Sequence, residues 1–271
     1  MVVRIEKAGP VWTVIHDRPQ ARNAMDPQSA KDLYDAFLAF DADDSASVAV
    51  FYGEGGAFCA GWDLKYVSTL DLKYPNAELD FSTATPRGNG GDVPRAPMGP
   101  SRLELDKPVI AAIEGPAVAG GMELAMWADF RVMAEDAYMG VYCRRWGVPL
   151  IDGGTVRLPR LVGQGRALEL ILTGRQVTAD ECLSIGLCEY ITPSGGAREK
   201  AEQLARDIAR FPQTCVRVDR RSAIRSHGLP VRDALVQEWC NGRQAVTADG
   251  VAGATRFKDG LGRHGDFDKI W

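Results

Sequence analysis

The sequence is poor in the residues that usually build metal centres and disulfide frameworks. It contains three histidines and six cysteines, and no two cysteines are spaced as a C-x-x-C pair. The histidines, His16, His227 and His264, lie in separate segments. This spacing fits neither a zinc site nor a disulfide framework, so we predict buried free thiols and no metal. The chemistry must then come from carboxylates, from backbone dipoles or from a carrier group on the substrate.

Long apolar runs and an excess of basic charge are also missing. No apolar run approaches the roughly 18 residues that a membrane span requires, and the formal net charge is -4. Such a chain has no basic surface signature for nucleic acid. The first residues, Met1–Glu6, reach a charge before a signal-peptide core can form. We therefore predict a cytoplasmic protein that has no nucleic-acid or membrane partner.

Strand, turn and helix signals recur in the first two thirds of the chain. The β-favouring runs Val11–His16, Val48–Tyr52 and Val109–Ile113 are each followed by glycine-containing or helical segments. Asp26 before Pro27 is predicted to cap a helix whose apolar residues recur at helical spacing. This order predicts a mixed α/β core.

The remaining segments differ from this pattern. Between residues 69 and 107 periodicity fails, and glycine and proline concentrate in 85–100. We interpret this segment as a mobile loop near the active site, with an uninvolved surface insertion as the alternative. Amphipathic stretches at 197–210, 213–226 and 231–248 predict a helical C-terminal region. We therefore predict a core over residues 1–190 and a helical region over 191–271.

Two segments rich in small residues carry the functional signal. In Gly53–Lys65, glycines directly after a strand allow a ligand to approach the backbone, although a plain turn with Asp63 at a helix start is the alternative. In Glu114–Ala125, a helix is predicted from about Gly120, and the N–H groups of its first turn have no intrahelical partner. Glu123 returns to the same helical face. The pattern predicts an anion-stabilising site beside a carboxylate, whereas the alternative is that Glu123 only interacts with the helix dipole.

Together these segments resemble the enoyl-CoA hydratase/isomerase (crotonase) family. The resemblance lies in A-F-C-A-G-x-D-L, followed by G-P-A-x-A-G-G-x-E-L-A, and later by G-G-T-V-R-L-P-R at 153–160. It implies an α/β fold, a crotonase-like spiral of repeated ββα units with a C-terminal α-helical region. It also implies an acyl-CoA substrate, no separate cofactor, because coenzyme A is part of the substrate, and assembly as a homotrimer or a dimer of trimers.

The resemblance also assigns expected roles to individual residues. It implies an oxyanion hole formed by the backbone N–H groups of Trp62 and Gly120, with Glu123 as the catalytic carboxylate. The coenzyme A contacts that it implies are Arg22, Ala24, Ala60, Asp63, Leu64 and Lys65, together with Trp62.

The sequence departs from the family where enoyl-CoA hydratases carry a second glutamate. That position falls at or beside Cys143, and a neutral thiol does not replace a carboxylate in proton transfer. Asp152 is a candidate for the missing group, and its alternative role is to cap the helix that begins at Gly153-Gly154. Arg144 and Arg145 are either a solvated pair or partners of these carboxylates. Trp62 and Trp146 line an acyl pocket or pack in the core.

Several reactions fit these residues. The reaction that we predict first is hydration of a 2-enoyl-CoA. Double-bond isomerisation needs only one acid/base such as Glu123, and thioester hydrolysis or cleavage of a C–C bond is also compatible. From a different class, a non-catalytic CoA-binding protein is disfavoured by the intact Glu123.

Overall fold

The computed structural model describes residues 2–70, Leu79 and residues 95–265. The chain forms two compact units that divide between Arg206 and Asp207. The first unit therefore extends past residue 190, where the sequence analysis placed the boundary. The reason is that Ala197, Ala201 and Ala205 are fully buried in it. The predicted mobile loop lies mostly outside the described residues.

The described strands of the first unit form two sheets. A six-stranded sheet has the order β1-β2-β3-β4-β6-β9, antiparallel between β1 and β2 and parallel elsewhere. A three-stranded sheet has the order β5-β7-β8. The strands are β1 (Val3–Ala8), β2 (Val11–His16), β3 (Val48–Gly53), β4 (Val109–Ile113), β5 (Pro116–Val118), β6 (Phe130–Ala134), β7 (Tyr138–Gly140), β8 (Gln176–Thr178) and β9 (Tyr190–Thr192).

The central strands β2 and β4 are buried along their whole length because both faces of the sheet are covered. Every residue of β2 and β4 is buried, as expected for strands of a parallel sheet between two layers. The three strands predicted from the sequence are confirmed to within one residue. The sheet ends that follow β3 and β4 carry the two segments rich in small residues.

Helices surround these sheets. In the first unit they are α1 (Pro27–Ala42), α2 (Leu64–Val67), α3 (Gly120–Trp127), α4 (Gly154–Val162), α5 (Gln164–Thr173) and α6 (Ala179–Ser184). Helix α7 (Ala197–Ala209) begins in this unit and ends three residues past its boundary. The predicted cap of α1 is confirmed, because the Asp26 carboxylate accepts the Ser29 N–H at 2.8 Å. At its other end, buried Lys107 donates to the carbonyls of Phe40 and Asp43, which satisfies carbonyls that a helix end leaves open.

The second unit is helical. It contains α8 (Gln213–Arg225), α9 (Val231–Ala245), a π-helical turn at Val246–Gly250, and α10 (Val251–Lys258). The Asn241 amide joins α9 to α8 by donating to the Val218 carbonyl at 2.8 Å. Val231, Leu235 and Trp239, which recur every four residues along α9, are 77%, 57% and 65% exposed within this chain. The unit therefore presents an apolar helix face.

All six cysteines are free. Cys59, Cys143, Cys182 and Cys188 are buried as predicted, whereas Cys215 and Cys240 are exposed, so the prediction of burial was wrong for these two. They lie on α8 and α9, whose faces in this small unit are largely open to solvent.

Among the described residues, no group of three or more His, Cys, Asp and Glu is arranged to hold a metal ion. None of the described helices combines the length and apolar character of a membrane span.

Candidate active site

The two segments rich in small residues run side by side. The Cys59 N–H donates to the Pro116 carbonyl at 3.1 Å, and the Val118 N–H donates to the Cys59 carbonyl at 3.0 Å. A Cβ on Gly61 would lie 2.8 Å from the Ala119 Cβ, and one on Gly121 would lie 2.0 Å from the Cys59 oxygen. Only glycine permits this approach. It brings Gly61, which precedes Trp62, against the start of α3.

The start of α3 combines a strained residue with an available donor. Ala119 precedes the helix at φ 55° and ψ -125°, an unusual conformation for a residue with a side chain. Its own N–H donates to the Gly140 carbonyl at 2.8 Å, which holds the turn. Gly120 is the first helical residue, and no group within the described residues accepts its N–H. Both residues border a pocket.

The pocket is a cavity of about 140 Å³ with an apolar wall and a few polar groups. Trp62 and Trp146 both line it, and Trp146 is 69% exposed, so the alternative of core packing is wrong for Trp146. The lining residues are Ala60, Trp62, Leu64, Met98, Val118, Ala119, Gly120, Glu123, Tyr142, Cys143, Trp146, Val148, Pro149, Ile151 and Asp152.

Glu123 is the acidic residue in the first turn of α3. It is only 2% exposed, and its Oε1 accepts the N–H groups of Asp152 at 2.9 Å and Gly154 at 2.8 Å. Its Oε2 has no hydrogen-bond donor within the described part of the chain. Burial raises the pKa of Glu123 to about 7, the negative charge of Asp152 adds to this effect, and the two N–H groups oppose it. A carboxyl group with this pKa exchanges protons readily near neutral pH.

Asp152 does not cap α4, so that alternative is wrong. The cap position is Gly153, which has a left-handed conformation and no capping side chain, and Glu123 instead binds the N–H of the first helical residue. The Asp152 Oδ1 accepts the Met98 N–H at 3.0 Å and the Ser101 hydroxyl at 2.6 Å. Burial raises the pKa of Asp152, and the bonds from Ser101 and Met98 work against this rise. Asp152 thus holds the 98–101 segment and also borders the pocket.

Cys143 borders the same pocket as a neutral thiol. Its side chain is buried, and its pKa is raised by burial and by the nearby charge of Glu123. The adjacent arginines do not approach the carboxylates. Arg144 donates to the Ile171 carbonyl and Arg145 to the Gly174 carbonyl, both at 3.3 Å. The positive charge of Arg144 lowers the pKa of Cys143, but burial outweighs this effect, so the thiol stays neutral.

The two segments expected to contact coenzyme A are joined by backbone hydrogen bonds. The Ala60 N–H donates to the Arg22 carbonyl at 3.0 Å, and the Asp63 N–H donates to the Met25 carbonyl at 2.8 Å. Ala60 and Leu64 line the pocket, as Trp62 does. The two segments therefore form one continuous wall.

The other expected contacts lie outside the pocket lining. Arg22 and Lys65 are exposed, and Ala24 is partly exposed. The Asp63 carboxylate forms an ion pair with Arg18 at 2.8 Å and caps α2 by accepting the Lys65 N–H at 3.0 Å. Its role within the described chain is to fix this wall, as the alternative interpretation of Asp63 proposed.

Arg157, Ser101 and Met98 are the site residues that the sequence analysis did not single out. The Arg157 guanidinium donates to the Asp152 carbonyl at 2.9 Å and to the Ser101 carbonyl at 2.6 Å. Met98 packs against Gly120, where a Cβ would lie 2.5 Å from its sulfur. For Arg157 a signal existed, because it lies within the G-G-T-V-R-L-P-R match. Met98 and Ser101 lie in the region without periodicity.

Comparison with known proteins supports this description. The family model described as Enoyl-CoA hydratase/isomerase matches residues 6–84 and 100–233. Enoyl-CoA hydratase EchA19 of Mycobacterium tuberculosis is 33% identical over 238 residues, which cover 85% of this chain and 83% of that protein. Carnitinyl-CoA dehydratase of Salmonella typhi is 34% identical over 207 residues, 76% of this chain and 74% of the relative.

A solved structure agrees in fold over nearly the whole length. The crystal structure of enoyl-CoA hydratase EchA1 from Mycobacterium marinum has a TM-score of 0.83, with 29% sequence identity, and the match covers 95% of this chain and 96% of that chain. The predicted crotonase-type α/β fold with C-terminal helices is confirmed. The chain belongs to the enoyl-CoA hydratase/isomerase family.

Proposed function

We propose that the chain is an enoyl-CoA hydratase that adds water to the double bond of a 2-enoyl-CoA and removes it in the reverse direction. The observation that carries this proposal is the position of Glu123. Its Oε1 is fixed by two N–H groups, while its Oε2 and the N–H of Gly120 are both available at one pocket. A proton acceptor and an anion-stabilising donor thereby face the same reacting group.

In this mechanism the thioester carbonyl accepts the N–H groups of Trp62 and Gly120. Glu123 takes a proton from water as the water oxygen bonds to C3, and the electron pair of the double bond moves towards the carbonyl oxygen. The resulting enolate is stabilised by the two backbone donors, an effect of several kcal/mol in comparable sites. Glu123 then returns the proton to C2, which completes the addition.

Asp152 supplies the second carboxylate in place of the one absent at Cys143. Its Oδ1 is occupied by Met98 and Ser101, so its other oxygen is the one that orients the attacking water. Ala24, Ala60 and Leu64 contact the pantetheine arm, and the exposed cations Arg22 and Lys65 face the phosphates of coenzyme A. Asp63 contributes by holding this wall in place.

Isomerisation of a 3-enoyl-CoA is the second candidate, and the neutral thiol of Cys143 favours it. Moving a double bond requires one group that removes a proton and returns it to another carbon, and Glu123 alone fulfils this role. No water needs to be held by two carboxylates in that reaction.

The test compares the two reactions directly. Purified protein and the Glu123→Gln variant are given crotonyl-CoA in the presence of EDTA and without added cofactor, since coenzyme A enters with the substrate. Loss of the conjugated thioester absorbance and formation of 3-hydroxybutyryl-CoA, both abolished in the variant, are expected. Turnover of a 3-enoyl-CoA with no hydration would favour the isomerase, and full activity of Glu123→Gln would remove Glu123 as the acid/base.

For assembly we propose a homotrimer or a dimer of trimers. The support is the exposed apolar face of α9, because contiguous apolar surface of this kind usually marks an interface. Sedimentation of the purified chain tests this, and a monomer at micromolar concentration would contradict it. The cytoplasmic location stays a prediction.

A further inference from the structure

Arg157 braces the turn that holds Glu123 without entering the pocket. It lies in the first turn of α4 and does not line the cavity. Its two terminal nitrogens bond to the carbonyls of Asp152 and Ser101. A Cβ on Gly153 would lie 2.1 Å from Nη1, so the glycine leaves free the space that the guanidinium occupies. The planar fork of arginine suits two fixed carbonyl acceptors in a way that a lysine does not.

The braced turn is the part of the chain that fixes the catalytic carboxylate. The N–H groups of Asp152 and Gly154 both point at Oε1 of Glu123. A Cβ on Gly154 would lie 2.9 Å from that oxygen. A small movement of the turn therefore moves Glu123, and misplacement by about 1 Å can cost roughly 100-fold in rate.

Arg157 is also a cation that faces both carboxylates of this pair. Glu123 is faced by Asp152 from the turn, by Arg157 from α4 and by Cys143 from the short helix at Tyr142–Trp146. Asp152 is faced in addition by Arg102, and its charge acts on the Cys59 thiol. Burial lowers the pKa of Arg157, the charge of Arg160 adds to this effect, and the charges of Glu123, Asp152 and Glu104 oppose it. A guanidinium nevertheless stays charged at neutral pH.

We propose that Arg157 is a positioning residue that fixes the 152–154 turn around Glu123 and supplies the positive charge that allows Glu123 to ionise beside Asp152. This inference rests on the proposed acid/base role of Glu123. Arg157 contributes in two ways, by the paired hydrogen bonds of its planar guanidinium and by its positive charge. The two contributions can be removed one at a time.

The experiment measures the pH dependence of kcat/KM for crotonyl-CoA hydration in Arg157→Lys and Arg157→Gln. Lysine keeps the charge but not the fork, so kcat/KM should fall roughly 10–100-fold while the midpoint of the acid limb stays near that of the wild type. Glutamine removes the charge as well, so the midpoint should move to higher pH. Arg160→Gln is the matched control, because it removes an exposed cation from the same helix and should change neither quantity.

The result that would overturn the inference is a folded Arg157→Gln variant with an unshifted midpoint, or an Arg157→Lys variant with the wild-type rate. If Arg157→Gln does not fold, as judged by thermal unfolding and circular dichroism, the rate of Arg157→Lys alone decides the positioning role. Glu123→Gln is assayed in parallel. If Glu123→Gln is inactive and the Arg157 variants behave like the wild type, only the inference about Arg157 is wrong. If Glu123→Gln is fully active, the proposed function is wrong.

Discussion

Glu114 and Glu123 are two buried glutamates on the same strand–turn–helix segment, and both hold the start of a distant helix. Glu114 accepts the Gly195 N–H on Oε2 at 3.0 Å and the N–H of Ala197, the first residue of α7, on Oε1 at 2.9 Å. Glu123 receives both of its N–H groups on Oε1. Glu114 therefore uses its whole carboxylate for structure, whereas Glu123 keeps one oxygen for the pocket.

The comparison teaches that burial and helix binding do not by themselves identify a catalytic acid. Glu123 differs in two ways. One of its oxygens accepts both N–H groups while the other has no donor within the described residues, and burial together with the negative charge of Asp152 raises its pKa to about 7.

The largest effect is expected from Glu123→Gln. Glutamine keeps the Oε1 acceptor for the N–H groups of Asp152 and Gly154 but cannot take a proton, so kcat should fall by roughly 100–10,000-fold. Binding of an unreactive acyl-CoA, measured by calorimetry, should be retained. Loss of binding together with loss of rate would point to a collapsed pocket instead of a lost base.

Asp152→Asn is expected to change the pH profile. Asparagine keeps an oxygen for the Met98 N–H and the Ser101 hydroxyl, so the 98–101 segment stays attached. Removing the negative charge lowers the pKa of Glu123, so the midpoint of the acid limb of kcat/KM should move below its expected value of about 7. The rate should also fall if the second carboxylate orients water. An unshifted midpoint would contradict the coupling between the two groups.

Glu114→Gln is expected to weaken the fold and leave the chemistry intact. Its amide has one acceptor for two N–H groups, so one of them loses its partner, and for the buried N–H of Ala197 this costs about 1–3 kcal/mol. Urea unfolding should detect this loss, while kcat stays at the wild-type value. A large loss of rate without loss of stability would mean that Glu114 shares the role of Glu123.

The contribution of Glu123 to stability should depend on pH. The folded-state pKa of Glu123 is raised from 4.5 to about 7, so its contribution to stability is present below pH 4.5 and lost as the pH rises through 7. Glu123→Gln should therefore gain stability over the wild type above pH 7, where Glu114→Gln is still destabilised. Unfolding of both variants at pH 5 and pH 8 checks the sign.

The smallest effect is expected from Cys143→Ala. The thiol is neutral and carries no proton-transfer role, so kcat should change by less than about tenfold, below the range of a general acid or base. Crotonyl-CoA hydration measures this directly. A loss as large as that of Glu123→Gln would show that the thiol acts in the reaction.

Much of this architecture was predictable because it is local in sequence. The strand patterns, the Asp26 cap and the start of α3 at Gly120 depend on neighbouring residues, and all are confirmed. The position of Glu123 on the first turn of α3 follows from the same local reasoning.

The errors and omissions concern long-range contacts. The bond from the Asp152 N–H to Glu123 spans 29 residues, and that from the Ser101 hydroxyl to Asp152 spans 51. Local propensity favours aspartate at a helix start, but here the tertiary partners Met98 and Ser101 take its carboxylate. From the sequence, Arg157 cannot be distinguished from other basic residues of an amphipathic helix, because its carbonyl acceptors are distant in sequence or set by the fold.

The close contact of Gly61 and Gly121 with the neighbouring backbone has a consequence for how this protein can change. Neither position has room for a methyl group, and the donors that we propose for the thioester are main-chain atoms, so side-chain substitution does not remove them. Other residues that line the pocket contribute side chains, among them Trp146 and Ile151. A change in acyl specificity is therefore expected from substitution of these side chains, while the proposed backbone donors stay in place.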